Sequence, residues 1–249
     1  MLQAAPHTAP AQPTLVLCEL QRPPVPGLES YSPFCLKVHR ALKAAGLGYS
    51  SRLAARPEAH RDVNPLGQVP VLLIDGRPVA DSTQILAALA ELQPTPTWAA
   101  VDPTEHAEAQ LWEELADTAL NGFLVAARWA DDRNWPAVQA AYFGAAPWPV
   151  RRIIAPAIRR RVIASLVARD IWRAGPDACW RRFQILLDAL ERRAPARGFW
   201  LGDQLGLADL ALFAQLHSLC TPLTTWQQSQ IHARPGLRGY LARVDAATR

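Results

Sequence analysis

No window of the 249 residues approaches the roughly 18 uninterrupted apolar residues that a membrane-spanning helix needs. The opening MLQAAPHTAPAQP has no long apolar run before its prolines, and residues 1–13 are read as a disordered tail. Cysteine is scarce. Cys18, Cys35, Cys179 and Cys220 are too scattered for zinc-ligand spacing and too few for a disulfide scaffold, so reduced thiols and no metal are expected. Neither sign of charge dominates, with 26 basic residues against 22 acidic ones. The basic excess gathers around Arg151-Arg152 and Arg159-Arg160-Arg161 without any recognition motif beside it, so it is read as a solvated helix face with no nucleic-acid partner. Apolar residues are plentiful, at 50 % with nine tryptophans, which excludes global disorder and supplies a sizeable core. A soluble, cytoplasmic protein of one large domain or two ordinary ones is expected.

The first part of the chain alternates in type. TLVLC (14–18) is a short β-rich run, and Pro33 to Ala45 then spaces Phe34, Val38, Ala41, Leu42 and Ala45 as a helix that Gly46 stops. A weak strand at 49–53 follows, then a β-run at Val69–Ile74, an Asp75-Gly76 hairpin signal, a partner strand at 77–80 and a helix at 82–92. The order is βαβ, then ββα. QPTPTWAAVDP (93–103) reads as a linker, and beyond it the pattern is helical, with helices expected at 104–130, 153–172, 177–193, 206–219 and 235–247.

One short stretch carries chemistry. SPFC, Ser32 to Cys35, looks like a redox-active Cys-x-x-Cys whose first cysteine has become serine, so a dithiol couple between the two positions is impossible. Ser32 before Pro33 is also an ordinary helix start, with serine as N-cap and proline as the first helical residue.

Three stretches, SPFCLKVHRALKAAG, NPLGQVPVLLIDGRPVADSTQIL and FWLGDQLGLADLALFAQL, together resemble the cytosolic glutathione transferase family over about residues 14 to 245. The resemblance implies an α/β thioredoxin-like N-terminal domain that binds glutathione (14–93), a linker (94–103) and an all-α C-terminal domain (104–249). The chain departs from the family at Gly206, three residues before Asp209, where Ser or Thr usually supplies half of a capping box. Glycine loses that half while remaining an acceptable N-cap.

For the site, the resemblance implies that glutathione brings its own thiol. Making a thiol of pKa about 8.5 mostly ionised near neutrality means lowering it by about two units, or about 2.7 kcal/mol. A helix dipole gives about 0.3 to 1 kcal/mol and a hydrogen bond to a charged group about 1.5 to 3, so Ser32 with its helix N-terminus suffices where the dipole alone does not. Ser32 is the expected thiolate-stabilising residue, with Tyr31 as a nearby substitute hydroxyl and Cys35 as a rival nucleophile in a glutaredoxin-like route. Val69-Pro70 resembles the cis-proline segment that pairs with the cysteinyl part of the ligand. Asp81 and Ser82 would take the γ-glutamyl ammonium and carboxylate, and Gln68 the glycyl carboxylate. Tyr31, Trp112, Arg128 and Trp129 would wall the electrophile pocket, with Trp226 or His217 closing it.

The activity implied is a transferase joining glutathione to a small hydrophobic electrophile, as in detoxification, in a homodimer. A narrower likeness of SPFCLKV, VADSTQIL and IRRRVIASLVARDIWR to the metaxin and failed-axon-connections branch leaves a binding or assembly protein without turnover as an alternative. A glutathione-dependent isomerase is another.

Overall fold

A computed structural model describes residues 13–92, 98 and 102–249. The tail expected at 1–13 and the linker expected at 94–103 fall almost entirely outside the described residues.

Four strands form one mixed sheet in the order β2-β1-β3-β4: β1 (Leu15–Leu20), β2 (Ser50–Ala54), β3 (Val71–Ile74) and β4 (Arg77–Ala80). β1 pairs parallel with β2, Val16 opposite Ser50, and antiparallel with β3, Leu17 opposite Leu72. The parallel pair needs a crossover, and α1 (Pro33–Ala44) supplies it, as the βαβ reading requires. β3 begins at Val71 rather than Val69. Pro70 has no N–H to pair, and the Val69-Pro70 peptide is cis. The α2 helix (Ser82–Leu92) then packs on β4 and α1.

Beyond α2 every named element is helical, and only an isolated bridge between Phe199 and Gly202 interrupts the pattern among the described residues. The helix expected at 104–130 is α3 (Pro103–Glu114), a π-helical stretch (Leu115–Leu120) and α4 (Asn121–Trp129). Asp102 caps its start by accepting from the Thr104 N–H at 2.8 Å. Two short helices have no counterpart in the sequence pattern, α5 (Trp135–Phe143) and α9 (Thr225–His232). Each buries only one or two residues, Val138 in the first and Gln227 and Ile231 in the second, so neither shows an apolar stripe. A π-helical turn (Val150–Ile154) leads into α6 (Ala155–Ala168), followed by α7 (Gly175–Arg193), α8 (Leu207–Leu219) and α10 (Pro235–Ala247).

The core centres on α8, apolar around most of its circumference and buried on every side against α1, α3, α4 and α10. Its N-terminus is held by Asp209, whose Oδ2 accepts from the Gly206 N–H and whose Oδ1 accepts from the Trp200 N–H and the Tyr240 hydroxyl, each at 2.8 Å. The acid half of the capping box thus survives without its serine. A Cβ on Gly206 would meet only Asp209 Oδ2 at 3.5 Å, and the residue is extended (φ −120°), so a side chain fits. Gly206→Ser is expected to stabilise the fold by about 0.5 to 1 kcal/mol, through a restored cap and a less flexible unfolded chain. Denaturant unfolding checks this, and an unchanged or lower midpoint would count against it.

Candidate functional site

One cleft of about 630 Å³ lies where the N-terminus of α1, the loop before β3 and the N-terminus of α2 converge. Ser32, Gln68, Val69, Pro70, Asp81 and Ser82 all line it, so the structure brings together every residue expected to touch glutathione except Cys35 and the substitute hydroxyl of Tyr31. Its described lining carries one acid, Asp81, and no Lys, Arg or His.

Ser32 is the N-cap of α1, with extended backbone (φ −98°, ψ 120°) and Pro33 as the first helical residue. Its Oγ accepts from the Cys35 N–H at 3.3 Å, and its own N–H donates to the Ser30 hydroxyl at 3.3 Å. A hydroxyl has one hydrogen to donate besides the lone pairs used in capping. Capping therefore leaves the Ser32 O–H available to an anion in the cleft, where the dipole of α1 also favours negative charge.

The loop that presents Gln68 and Val69 is built locally. Asn64 accepts from the Leu66 N–H at 3.2 Å and donates through Nδ2 to the Gln68 carbonyl at 3.0 Å. Gly67 sits at φ +61°, where a Cβ would approach Glu58 Cα to 3.2 Å, so the turn needs glycine. Asn64 and Gly67 line the cleft without a site signal in the sequence beyond the Asn64-Pro65 turn, and Phe34, expected only on the apolar spacing of α1, lines it too. At the opposite wall Asp81 lies at φ +77° and its Oδ1 accepts from the Thr83 N–H at 2.9 Å, capping α2. Ser82 is buried beside it.

Cys35 is different. Its side chain is 0 % exposed, it does not line the cleft, and burial pushes the thiol up to about 12. A buried, protonated thiol outside the cleft lining is poorly placed to attack a ligand there, which favours Ser32 over Cys35 as the acting residue. Cys35→Ala is expected to cost about 1 kcal/mol of stability and leave glutathione-dependent turnover within about twofold of wild type. Loss of turnover with the fold intact would restore the cysteine to the mechanism.

The residues expected to wall the electrophile pocket do not line this cleft. Tyr31 donates its hydroxyl to the Ala141 carbonyl at 2.7 Å and lays its ring on Tyr142 at 4.3 Å, so it offers no hydroxyl beside Ser32. Arg128 is buried and donates to the carbonyls of Tyr31 (2.7 Å) and Ser218 (3.0 Å). Trp129 joins the same cluster edge-on to Tyr142 at 5.3 Å. These three fix the loop leading into α1 against α4, α5 and α8. Trp112 lies elsewhere, edge-on to Trp200 at 5.0 Å. Trp226 packs on Trp180, and His217 stacks on Phe213 with burial lowering its pKa. Trp112 and Trp226 are partly buried against the helical core, and the His217 stack lies within α8.

Two family models match the chain, the N-terminal domain of glutathione S-transferases over residues 31–92 and their C-terminal domain over residues 155–243. An isoprene-epoxide glutathione S-transferase of Rhodococcus sp. (strain AD45) is 25 % identical over 225 residues, covering 89 % of this chain and 94 % of that one. A glutathione S-transferase from Methylobacillus flagellatus, crystallised with glutathione bound, is 21 % identical with a TM-score of 0.55, covering 92 % of this chain and 94 % of that one. The β-etherase of Sphingobium sp. strain SYK-6 is 22 % identical with a TM-score of 0.58, covering 94 % and 95 %. At these identities the solved structures establish the shared fold.

Proposed function

The chain belongs to the glutathione S-transferase family, and from that premise we propose that it is an enzyme that binds glutathione in the Ser32 cleft, ionises its thiol and adds it to a small electrophile. What supports the reading is the convergence on one cleft of a helix N-terminus capped by a serine, a cis X-Pro segment and the Asp81-Ser82 start of a second helix.

In this reading the free edge of Val69 pairs with the cysteinyl backbone, Ser82 holds the γ-glutamyl carboxylate through its hydroxyl and its own N–H, and Asp81 meets the ammonium with the oxygen that does not cap α2. Gln68 takes the glycyl carboxylate. The thiol releases its proton to solvent as it binds, and the Ser32 O–H donates to the sulfur left behind. The thiolate then forms a C–S bond to the electrophile. With an epoxide the carbon–oxygen bond breaks and the alkoxide takes a proton from water, which leaves a hydroxy thioether. Epoxides are the class to test first, because the Rhodococcus relative is named for one.

The test is a panel of epoxides and activated halides, with glutathione consumption and conjugate formation followed for wild type and Ser32→Ala. Conjugate whose formation collapses in the variant supports the proposal. Product formed while glutathione returns unchanged would indicate the isomerase, and absence of turnover with a stable partner complex would indicate the metaxin-like assembly protein. The homodimer expected of the family belongs to the same proposal, and light scattering on the eluted protein checks it.

A further inference from the structure

Between Asp132 and Asp170 the chain has no Asp or Glu and seven arginines. Arg133 and Arg159 are taken up at the margins by Asp131 and Asp132. Arg151, Arg152, Arg160 and Arg161 stand exposed on the stretch formed by the π-helical turn and α6. Ordinary surface helices turn apolar residues inward and charge outward. Here Ala155 and Leu166 are the residues of α6 that are buried, whereas Trp148, Ile153, Ile154 and Ile158 are 60 %, 62 %, 47 % and 37 % exposed. A groove of about 560 Å³ between α5 and α6 is bordered by Trp148, Arg151 and Arg152, with the Arg152 guanidinium 5.7 Å from the Trp148 ring. The solvated helix face expected from the arginines is therefore interleaved with exposed aliphatic and aromatic surface.

We propose that this face docks on an anionic lipid bilayer, with Trp148, Ile153, Ile154 and Ile158 entering the headgroup boundary and the four free arginines meeting lipid phosphates. Charge decides the occupant. A two-fold pairing with a second copy would bring arginines against arginines with no acid from this stretch to answer them. A nucleic acid would satisfy the arginines and leave the isoleucines in water, since phosphate contacts bury no aliphatic surface. An anionic bilayer answers both, because interfacial binding adds buried apolar area to attraction between basic side chains and acidic headgroups. No helix among the described residues is long and apolar enough to cross a membrane, so the face would lie on the surface.

The experiment is co-sedimentation of the full-length protein with vesicles of phosphatidylcholine alone and with roughly one-third phosphatidylglycerol. Binding to the anionic vesicles alone is expected, weakening at high salt. Arg151→Glu with Arg152→Glu should lower the partition coefficient at least about 30-fold. Ile153→Ser with Ile154→Ser, which leaves the charge untouched, should lower it about tenfold. Arg181→Glu with Arg192→Glu on α7 makes the same charge change elsewhere and should have a small effect. Circular dichroism of each variant confirms folding, since all these side chains are exposed. The proposal is overturned by absence of binding, by isoleucine variants that bind like wild type, or by an α7 pair as damaging as the Arg151 pair. Binding to a DNA duplex in place of vesicles, or a dimer that the isoleucine variants dissociate, would overturn it in favour of those occupants.

Discussion

Ser32→Ala is expected to lower kcat/KM for glutathione conjugation about 10- to 150-fold, the rate equivalent of one hydrogen bond of about 1.5 to 3 kcal/mol to a charged sulfur. The same change removes the α1 cap, in which Oγ accepts from the Cys35 N–H, at a cost of about 0.5 to 2 kcal/mol of stability. Two further variants separate these effects. Ser32→Gly keeps an acceptable N-cap and loses the hydroxyl, so it should be nearly as inactive as alanine yet closer to wild type in stability. Ser32→Thr keeps the hydroxyl and should recover much of the rate. The pH profile is the more specific readout. A bound thiol stabilised as thiolate titrates below its free value of about 8.5, and without the serine the acidic limb of kcat/KM should move back toward that value. An alanine variant with wild-type turnover and an unmoved limb would remove Ser32 from the mechanism.

Lys37→Met is expected to destabilise the protein by about 3 to 5 kcal/mol near neutral pH, the usual consequence of leaving buried charges without their partner. Lys37 is 0 % exposed on α1, and its ammonium donates to Glu113 of α3 and, at 2.8 Å, to Asp117 of the π-helical stretch. Glu113 also accepts from the Thr83 hydroxyl at 2.8 Å, and Asp117 from Gln215 of α8 at 3.2 Å, so one ion cluster joins α1, α2, α3 and α8. Burial raises the Asp117 pKa despite the neighbouring ammonium. A carboxyl whose folded pKa is raised gives stability below its unfolded pKa and loses it as pH rises through the folded one. Removing Lys37 takes away the attraction opposing that rise, so the penalty of Lys37→Met should be largest at neutral pH and shrink as the buffer becomes acidic enough to protonate Asp117. Adding Glu113→Gln and Asp117→Asn should recover a large part of the loss. Chemical denaturation of the single and triple variants at two pH values tests this, and a penalty that is small or grows toward acid would contradict it.

These two residues sit five positions apart on one helix and were not equally legible. Ser32 announces itself, because serine before proline at the start of an amphipathic run has a local meaning, and its cleft partners Val69, Pro70, Asp81 and Ser82 lie at element boundaries that turn chemistry marks. The βαβ and ββα order could be read for the same reason. Lys37, His39 and Arg40 have no such local signature. Each is buried on α1 and finds an acid outside its own helix: Lys37 at Glu113 and Arg40 at Asp245 (2.9 Å) once the helical bundle closes on α1, and His39 at Glu19 of β1 (2.8 Å) once α1 packs on the sheet. The same limit explains Trp112, Arg128 and Trp129. Their spacing allows either a pocket wall or a core face, and only the folded contacts, with Trp200, Tyr142 and the Ser218 carbonyl, set them apart from the lining of the Ser32 cleft.

The most direct test of the central claim is calorimetric titration of wild type and Ser32→Ala with reduced glutathione in two buffers of different ionisation enthalpy. Wild type is expected to bind with net release of a proton, and Ser32→Ala to bind more weakly with little or no release. Proton release unchanged in the variant, or no binding by wild type at millimolar glutathione, would contradict a thiolate stabilised at Ser32.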